Sequence, residues 1–126
     1  MQQTPFPENA SLSLLQKYVR QKCQERGFDK AEDLEIWLLL TEEVGELSRA
    51  IRKKRQLFTE VRNRENADQM SHDAVQNSQA ISVQGNLAEE MADVLSYLLD
   101  LANRFNVDLE QAFRSKESEN DKREWL

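Results

Sequence analysis

Leu87, Met91, Val94, Leu95, Leu98, Leu101, Ala102 and Phe105 recur at intervals of three and four residues, an apolar stripe of about five helical turns. A pattern of that period cannot settle as a strand, whose faces alternate every second residue. The rest of the chain agrees with a helical class. Three Gly and two Pro in 126 residues leave few tight turns, which disfavours a sandwich or barrel. That length suits one domain, residues 1–126, with a single core. The expected fold is all-α, a bundle of about four helices.

Residues 1–8 form an irregular arm in this reading. The first helix starts near Ser11 and runs to about Arg26, with Leu12, Leu15, Val19 and Cys23 at helical spacing. Gly27 stops it, because glycine takes the left-handed conformation at little cost. The second helix opens at Asp29 or Asp33 and carries Leu34, Trp37, Leu38, Val44, Leu47 and Ile51. It ends either at the basic cluster Arg52–Arg55 or in the low sixties. After the third helix, Asn106 and Val107 turn the chain. Asp108 and Gln111 then form a capping box that opens a fourth helix with Leu109, Ala112 and Phe113. Between the second and third helices, residues 62–86 shift to Asn, Gln, Asp and Ser. So long an insert is a functional lid or a disordered segment. Within it, Ala80-Ile81-Ser82-Val83 suggests a short strand or a contact with a neighbouring subunit.

Charge and motif content exclude several functions. A formal net charge of −6 argues against wrapping a nucleic-acid polymer. It leaves open a small phosphorylated ligand held through metal ions. The single cysteine, Cys23, cannot form an internal disulfide and falls in an amphipathic pattern, where a small core residue is expected. The N-terminus lacks a basic region followed by an apolar one, and the apolar run Ile36–Leu40 is far too short to span a membrane. A soluble, cytoplasmic protein is expected. A di-iron carboxylate bundle needs paired histidines, and the only histidine, His72, lies in the polar insert. No phosphate-binding glycine loop or Ser-His-Asp set is present.

What remains is acidic. Thr41-Glu42-Glu43-Val44-Gly45-Glu46-Leu47 and Leu87-Ala88-Glu89-Glu90-Met91-Ala92-Asp93-Val94 each set carboxylates three residues apart inside apolar helical pattern. Glu43 and Glu46 follow the series of Ile36, Leu39, Leu40, Leu47, Ala50 and Ile51. Glu90 and Asp93 follow that of Val94, Tyr97, Leu98 and Leu101. Glu42 is rotated by about 100° and Glu89 leans the same way, both towards solvated faces. Four inward carboxylates repel one another and lose solvation. A domain with about 5–15 kcal/mol of net stability must offset that. No basic residue lies on either stripe nearby, so divalent cations are the available offset. An all-oxygen set without Cys or His suits Mg²⁺, with Mn²⁺ as a substitute, and not Zn²⁺. Solvated surface charge remains the alternative on spacing alone.

Leu40-Thr-Glu-Glu-Val-Gly-Glu-Leu47 and Leu87-Ala-Glu-Glu-Met-Ala-Asp-Val-Leu-Ser-Tyr-Leu98 resemble the Glu-Glu-x-x-Glu and Glu-x-x-Asp motifs of the MazG-like all-α nucleoside triphosphate pyrophosphohydrolases. The resemblance continues through Leu101–Leu109 and a tail with Lys116, Asn120, Arg123 and Trp125. It implies a Mg²⁺-dependent enzyme that splits a (deoxy)nucleoside triphosphate into monophosphate and pyrophosphate, with a housecleaning role. Glu43, Glu46, Glu90 and Asp93 would be the metal ligands. Glu42 or Glu43 would orient the attacking water. Trp37, Lys53, Tyr97, Lys116, Asn120 and Arg123 would contact the nucleotide. Family members of this size are homodimers or homotetramers. Two rivals are phosphoribosyl-ATP pyrophosphohydrolase activity on the same fold and a non-catalytic helical interaction module. The departure from the family is the 43-residue gap between Glu46 and Glu90, which puts base preference in doubt.

Overall fold

The computed structural model describes residues 3–65 and 73–125, with side chains over 3–55 and 86–125. Among these the chain is all-helical: α1 (Leu12–Arg26), a short 3-10 turn (Phe28–Lys30), α2 (Asp33–Glu65), α3 (Asp73–Arg104) and α4 (Leu109–Asn120). Helical backbone thus covers most of the expected insert. α2 passes the basic cluster and reaches Glu65, and Ala80–Val83 lies within α3 and is not a strand. The insert's own sequence explains this, since Gln, Asn and Ser with scattered alanines carry no helix-breaking proline or glycine before Gly85. His72 lies outside the described residues.

The chain divides into two compact units, residues 1–38 with 96–126, and residues 39–95. In the first, local signals set the helix ends. Ser11 caps α1 by accepting from Leu14 N–H (3.1 Å). Gly27 closes α1 at φ 77°, donating to the Cys23 and Gln24 carbonyls. Asp108 caps α4, its Oδ1 accepting from Gln111 N–H (3.1 Å). The reciprocal half of the expected capping box is absent: the Gln111 amide turns outward to Ser115 Oγ (3.4 Å). The N-terminal arm is irregular but tied down. Thr4 donates from N–H and hydroxyl to Glu25, and Phe6 meets Tyr18 edge-on at 5.1 Å between ring centroids.

Two polar side chains join distant parts of this unit. Gln16, on α1, is 9% exposed. Its Nε2 donates to the Val107 carbonyl (2.6 Å), and its Oε1 accepts from Leu109 N–H (3.2 Å). Asn103 Nδ2 in turn donates to the Gln16 carbonyl (2.9 Å). Backbone groups left over by the α3–α4 turn are thereby satisfied. Arg104 does the same for the α1–α2 connection. Its guanidinium donates to the carbonyls of Ala31 and Phe28, and pairs with Asp100 (3.0 Å) and Asp33 (3.4 Å). Among the described side chains, Ile36, Leu99 and Ala102 are the buried apolar residues of this unit, and Leu40, Ala50 and Leu87 are those of the second.

The apolar stripes are less covered than their width suggests. Met91, Leu95, Leu98 and Phe105 on α3 are exposed, as are Leu39 and Ile51 on α2, all placed on inward series by helical phase. One chain supplies fewer covering faces than those helices present.

The Arg104 and Asp100 side chains are 12% and 10% exposed, so their pairing is largely shielded from solvent. Arg104→Ala strands a buried carboxylate and two carbonyls, and is expected to lower stability by about 3 kcal/mol. Urea denaturation of the whole chain measures this. A loss below about 1 kcal/mol would mean that water replaces the guanidinium.

Candidate active site

Residues 39–95 hold the acidic stretches on two long helices, Glu42, Glu43 and Glu46 on α2 and Glu89, Glu90 and Asp93 on α3. Within this unit one carboxylate oxygen each from Glu43, Glu90 and Asp93 lie within 4.8 Å of one another. Three residues from two helices therefore converge on one point. Glu43 and Glu90 are half-buried, whereas Asp93 approaches from the exposed side. Glu46 is exposed and stands outside that group, although its charge is felt at Glu43. Glu42 and Glu89 are exposed.

Glu43 Oε2 and Glu90 Oε2 are both buried, and neither meets a hydrogen-bond donor among the described residues. Carboxylates are acceptors only when ionised. Two such oxygens in one small cluster are costly when both residues are ionised, and a proton or a cation relieves that cost. In the bare protein the proton takes that place: the Glu43 carboxyl is pushed up to about 7. Loss of solvation is the largest cause, followed by contact with Glu90 and repulsion from Glu46, Asp93 and Glu90. A divalent cation is the other way to satisfy the same oxygens. The donor set fits one, since hard oxygen ligands from carboxylates suit a hard cation.

The remaining expected residues are placed as follows. Lys53 is exposed in the same unit. Trp37, Tyr97, Lys116, Asn120 and Arg123 belong to the other unit. There Trp37 lines an apolar cavity of about 620 Å³ with Leu34, Leu98, Leu101 and Phe105. Tyr97 is half-buried on α3. Lys116 pairs loosely with Glu119 (3.8 Å) on the exposed face of α4. Asn120 ends that helix; its Nδ2 reaches Glu117 Oε1 (3.4 Å), and its carbonyl accepts from the Trp125 indole (3.3 Å). Arg123 lies past the helix end, in the turn that brings Trp125 back. Sequence phase put Glu46 with the cluster and missed its exposure, since residues at the edge and centre of a stripe share one spacing.

The sequence model described as the MazG nucleotide pyrophosphohydrolase domain matches residues 32–123. The chain therefore belongs to the MazG nucleotide pyrophosphohydrolase family. No curated protein and no solved structure matches it. The match spans both acidic stretches and α4, and leaves α1 outside.

A raised carboxyl makes the folded state bind more protons than the unfolded state between pH 4.5 and about 7. Its contribution to stability is therefore lost as pH rises through that window. In the presence of EDTA, unfolding free energy is expected to fall from pH 4.5 to about 7 more steeply than in Glu43→Gln, and the variant is expected to be the more stable above pH 7. Parallel pH series of urea titrations decide it; identical slopes for the two proteins would contradict the raised carboxyl.

Proposed function

We propose that this protein hydrolyses (deoxy)nucleoside triphosphates to the monophosphate and pyrophosphate with Mg²⁺, Mn²⁺ substituting, and so clears the nucleotide pool. The observation that carries this reading is the pair of buried, donorless oxygens on Glu43 and Glu90 beside Asp93, in a chain of a nucleotide pyrophosphohydrolase family. A site that strands two anions has a use for them. When bound, a divalent cation neutralises phosphoryl oxygens and acidifies a water for attack on phosphorus.

The chain's own residues supply the rest. Glu43, Glu90 and Asp93 hold the cation, and Glu46 completes the negative field that draws it in. Glu42 or Glu43 accepts the water's proton as the α–β anhydride bond breaks. Trp37, in its apolar cavity, offers an aromatic face for the base. Tyr97 and Lys53 contact the nucleotide, and Lys116, Asn120 and Arg123 contact phosphate and sugar.

The half-exposed apolar residues of both units support a homodimer or homotetramer, in which a neighbouring copy covers them. No helix among the described residues is long and apolar enough to cross a membrane. The Cys23 thiol is pushed up to about 11 by burial and by Asp100, which keeps it protonated. A cytoplasmic location is part of the proposal, and the acidic net charge of −6 suits a small nucleotide substrate over a nucleic-acid polymer.

A pyrophosphate-release assay across the common ribo- and deoxyribonucleoside triphosphates, with phosphoribosyl-ATP alongside, tests the reading. Turnover is expected for nucleoside triphosphates, and only with Mg²⁺ or Mn²⁺. Glu43→Gln, Glu90→Gln and Asp93→Asn should each slow it by about a hundredfold or more, since cation stabilisation contributes several kcal/mol. Saturating Mg²⁺ should also raise the unfolding free energy by about 2.7 kcal/mol at a hundredfold excess over its Kd. That gain should vanish in Glu90→Gln. Preferential turnover of phosphoribosyl-ATP would replace the substrate assignment, and no turnover at all would remove the enzyme.

A further inference from the structure

α1 differs in charge from the rest of an acidic chain. It carries Lys17, Arg20, Lys22 and Arg26 against one acid, Glu25, while the chain as a whole is at −6. Lys22 is accounted for: it pairs with Glu25 (3.1 Å) and lies over the Tyr18 ring (5.7 Å). Lys17 and Arg20 are not. One turn apart on the same helix, neither side chain has an ion-pair, hydrogen-bond or ring partner among the described residues. Like charges at that spacing repel unless an anion lies between them.

Both side chains line one groove of about 380 Å³, between α1 and the α3–α4 turn. Its floor is fixed. Gln16 is 9% exposed and has both ends of its amide engaged, by Val107 and Leu109. Asn103 holds the Gln16 carbonyl from the other side. Asn106, also lining the groove, stands in the left-handed conformation at φ 55°, its amide without a partner among the described residues. The one acid in the wall, Asp108, is committed to capping α4. Around this fixed floor stand three exposed donor groups without partners among the described residues, a guanidinium, an ammonium and an amide.

We propose that this groove binds a phosphoryl anion, as pyrophosphate or as a phosphate monoester. Three donor groups of different reach match the terminal oxygens of a phosphoryl group better than the two oxygens of a carboxylate. Arginine's fork and lysine's point charge are the usual pair for such a group. The groove's volume is at the lower end of the range for small-molecule sites, which run from roughly 300 to 1,000 Å³. It shares no residue with the carboxylate cluster, lies outside the segment that matches the family for α1, and does not depend on the hydrolase reading.

Calorimetric titration of the whole chain with inorganic pyrophosphate, and separately with a nucleoside 5′-monophosphate, tests the proposal. EDTA is present throughout, so that the carboxylates hold no cation that would attract phosphate. Saturable binding that weakens with added salt is expected. The double variant Lys17→Gln, Arg20→Gln is expected to bind at least about tenfold more weakly, or about 1.4 kcal/mol, with Tm and the hydrolysis rate unchanged. Asn106→Gly, which leaves both charges and the left-handed turn in place, should weaken binding several-fold. Binding of both ligands assigns the phosphoryl group itself, and binding of pyrophosphate alone narrows the ligand to the diphosphate. Absence of saturable binding by either overturns the site. So does equal affinity in the double variant, or affinity lost instead in Glu43→Gln.

Discussion

A carboxylate oxygen removed from water needs a proton or a cation, and Glu43 and Glu90 each present one with no donor to meet it. The rest of the candidate site depends on that constraint. Repulsion among the oxygens of Glu43, Glu90 and Asp93, which lie within 4.8 Å of one another, works against the packing of Leu40, Ala50 and Leu87 in this unit. In the bare chain a proton relieves part of it, at a carboxyl raised to about 7. That is a weak arrangement near neutral pH, where the proton is only partly present. A divalent cation held by the same carboxylates would relieve that repulsion more fully. The same physics therefore makes the cluster unfavourable when empty and useful when filled.

Local signals were legible in the sequence because their partners lie within one turn. Ser11, Gly27 and Asp108 mark helix ends through groups three or four residues away, and each does so in the structure. Helical phase likewise distinguishes Glu43 and Glu90 from Glu42 and Glu89, because 100° of rotation is large against the width of a stripe. It does not resolve Glu46 from Glu43, or say how far Asp93 reaches, since residues at the edge and centre of a stripe share one spacing. The reciprocal half of the expected capping box is missing because the Gln111 side chain is drawn the other way, its Nε2 donating to Ser115 Oγ one turn on.

Gln16 and Arg104 were not legible, although each joins distant parts of the first unit. Their partners lie 91 residues away at Val107 and 73 residues away at Ala31, and no periodicity reports a contact at that distance. One trace exists for Gln16: it lies on the phase of Leu12, Leu15 and Val19, where a polar side chain must find a partner or stay wet. Arg104 sits at the end of α3, where a cation faces the helix's last carbonyls by default. That ordinary role hides the particular one.

Exposed apolar surface links the fold to the function. Leu34, Trp37 and Phe105 are each more than half exposed, at 64%, 51% and 62%, and with Leu98 and Leu101 they wall one apolar cavity. Leaving aromatic and aliphatic groups in water forgoes about 25 cal/mol for each Å² not buried. A small domain has little net stability to give up in this way. Such surface is retained where burial is completed by something other than the chain itself. For Trp37 a stacked base would do it, and for Met91 and Leu95 on α3 a neighbouring copy would. The charged cluster and the apolar wall thus share one property among the described residues: neither is satisfied by the isolated chain alone.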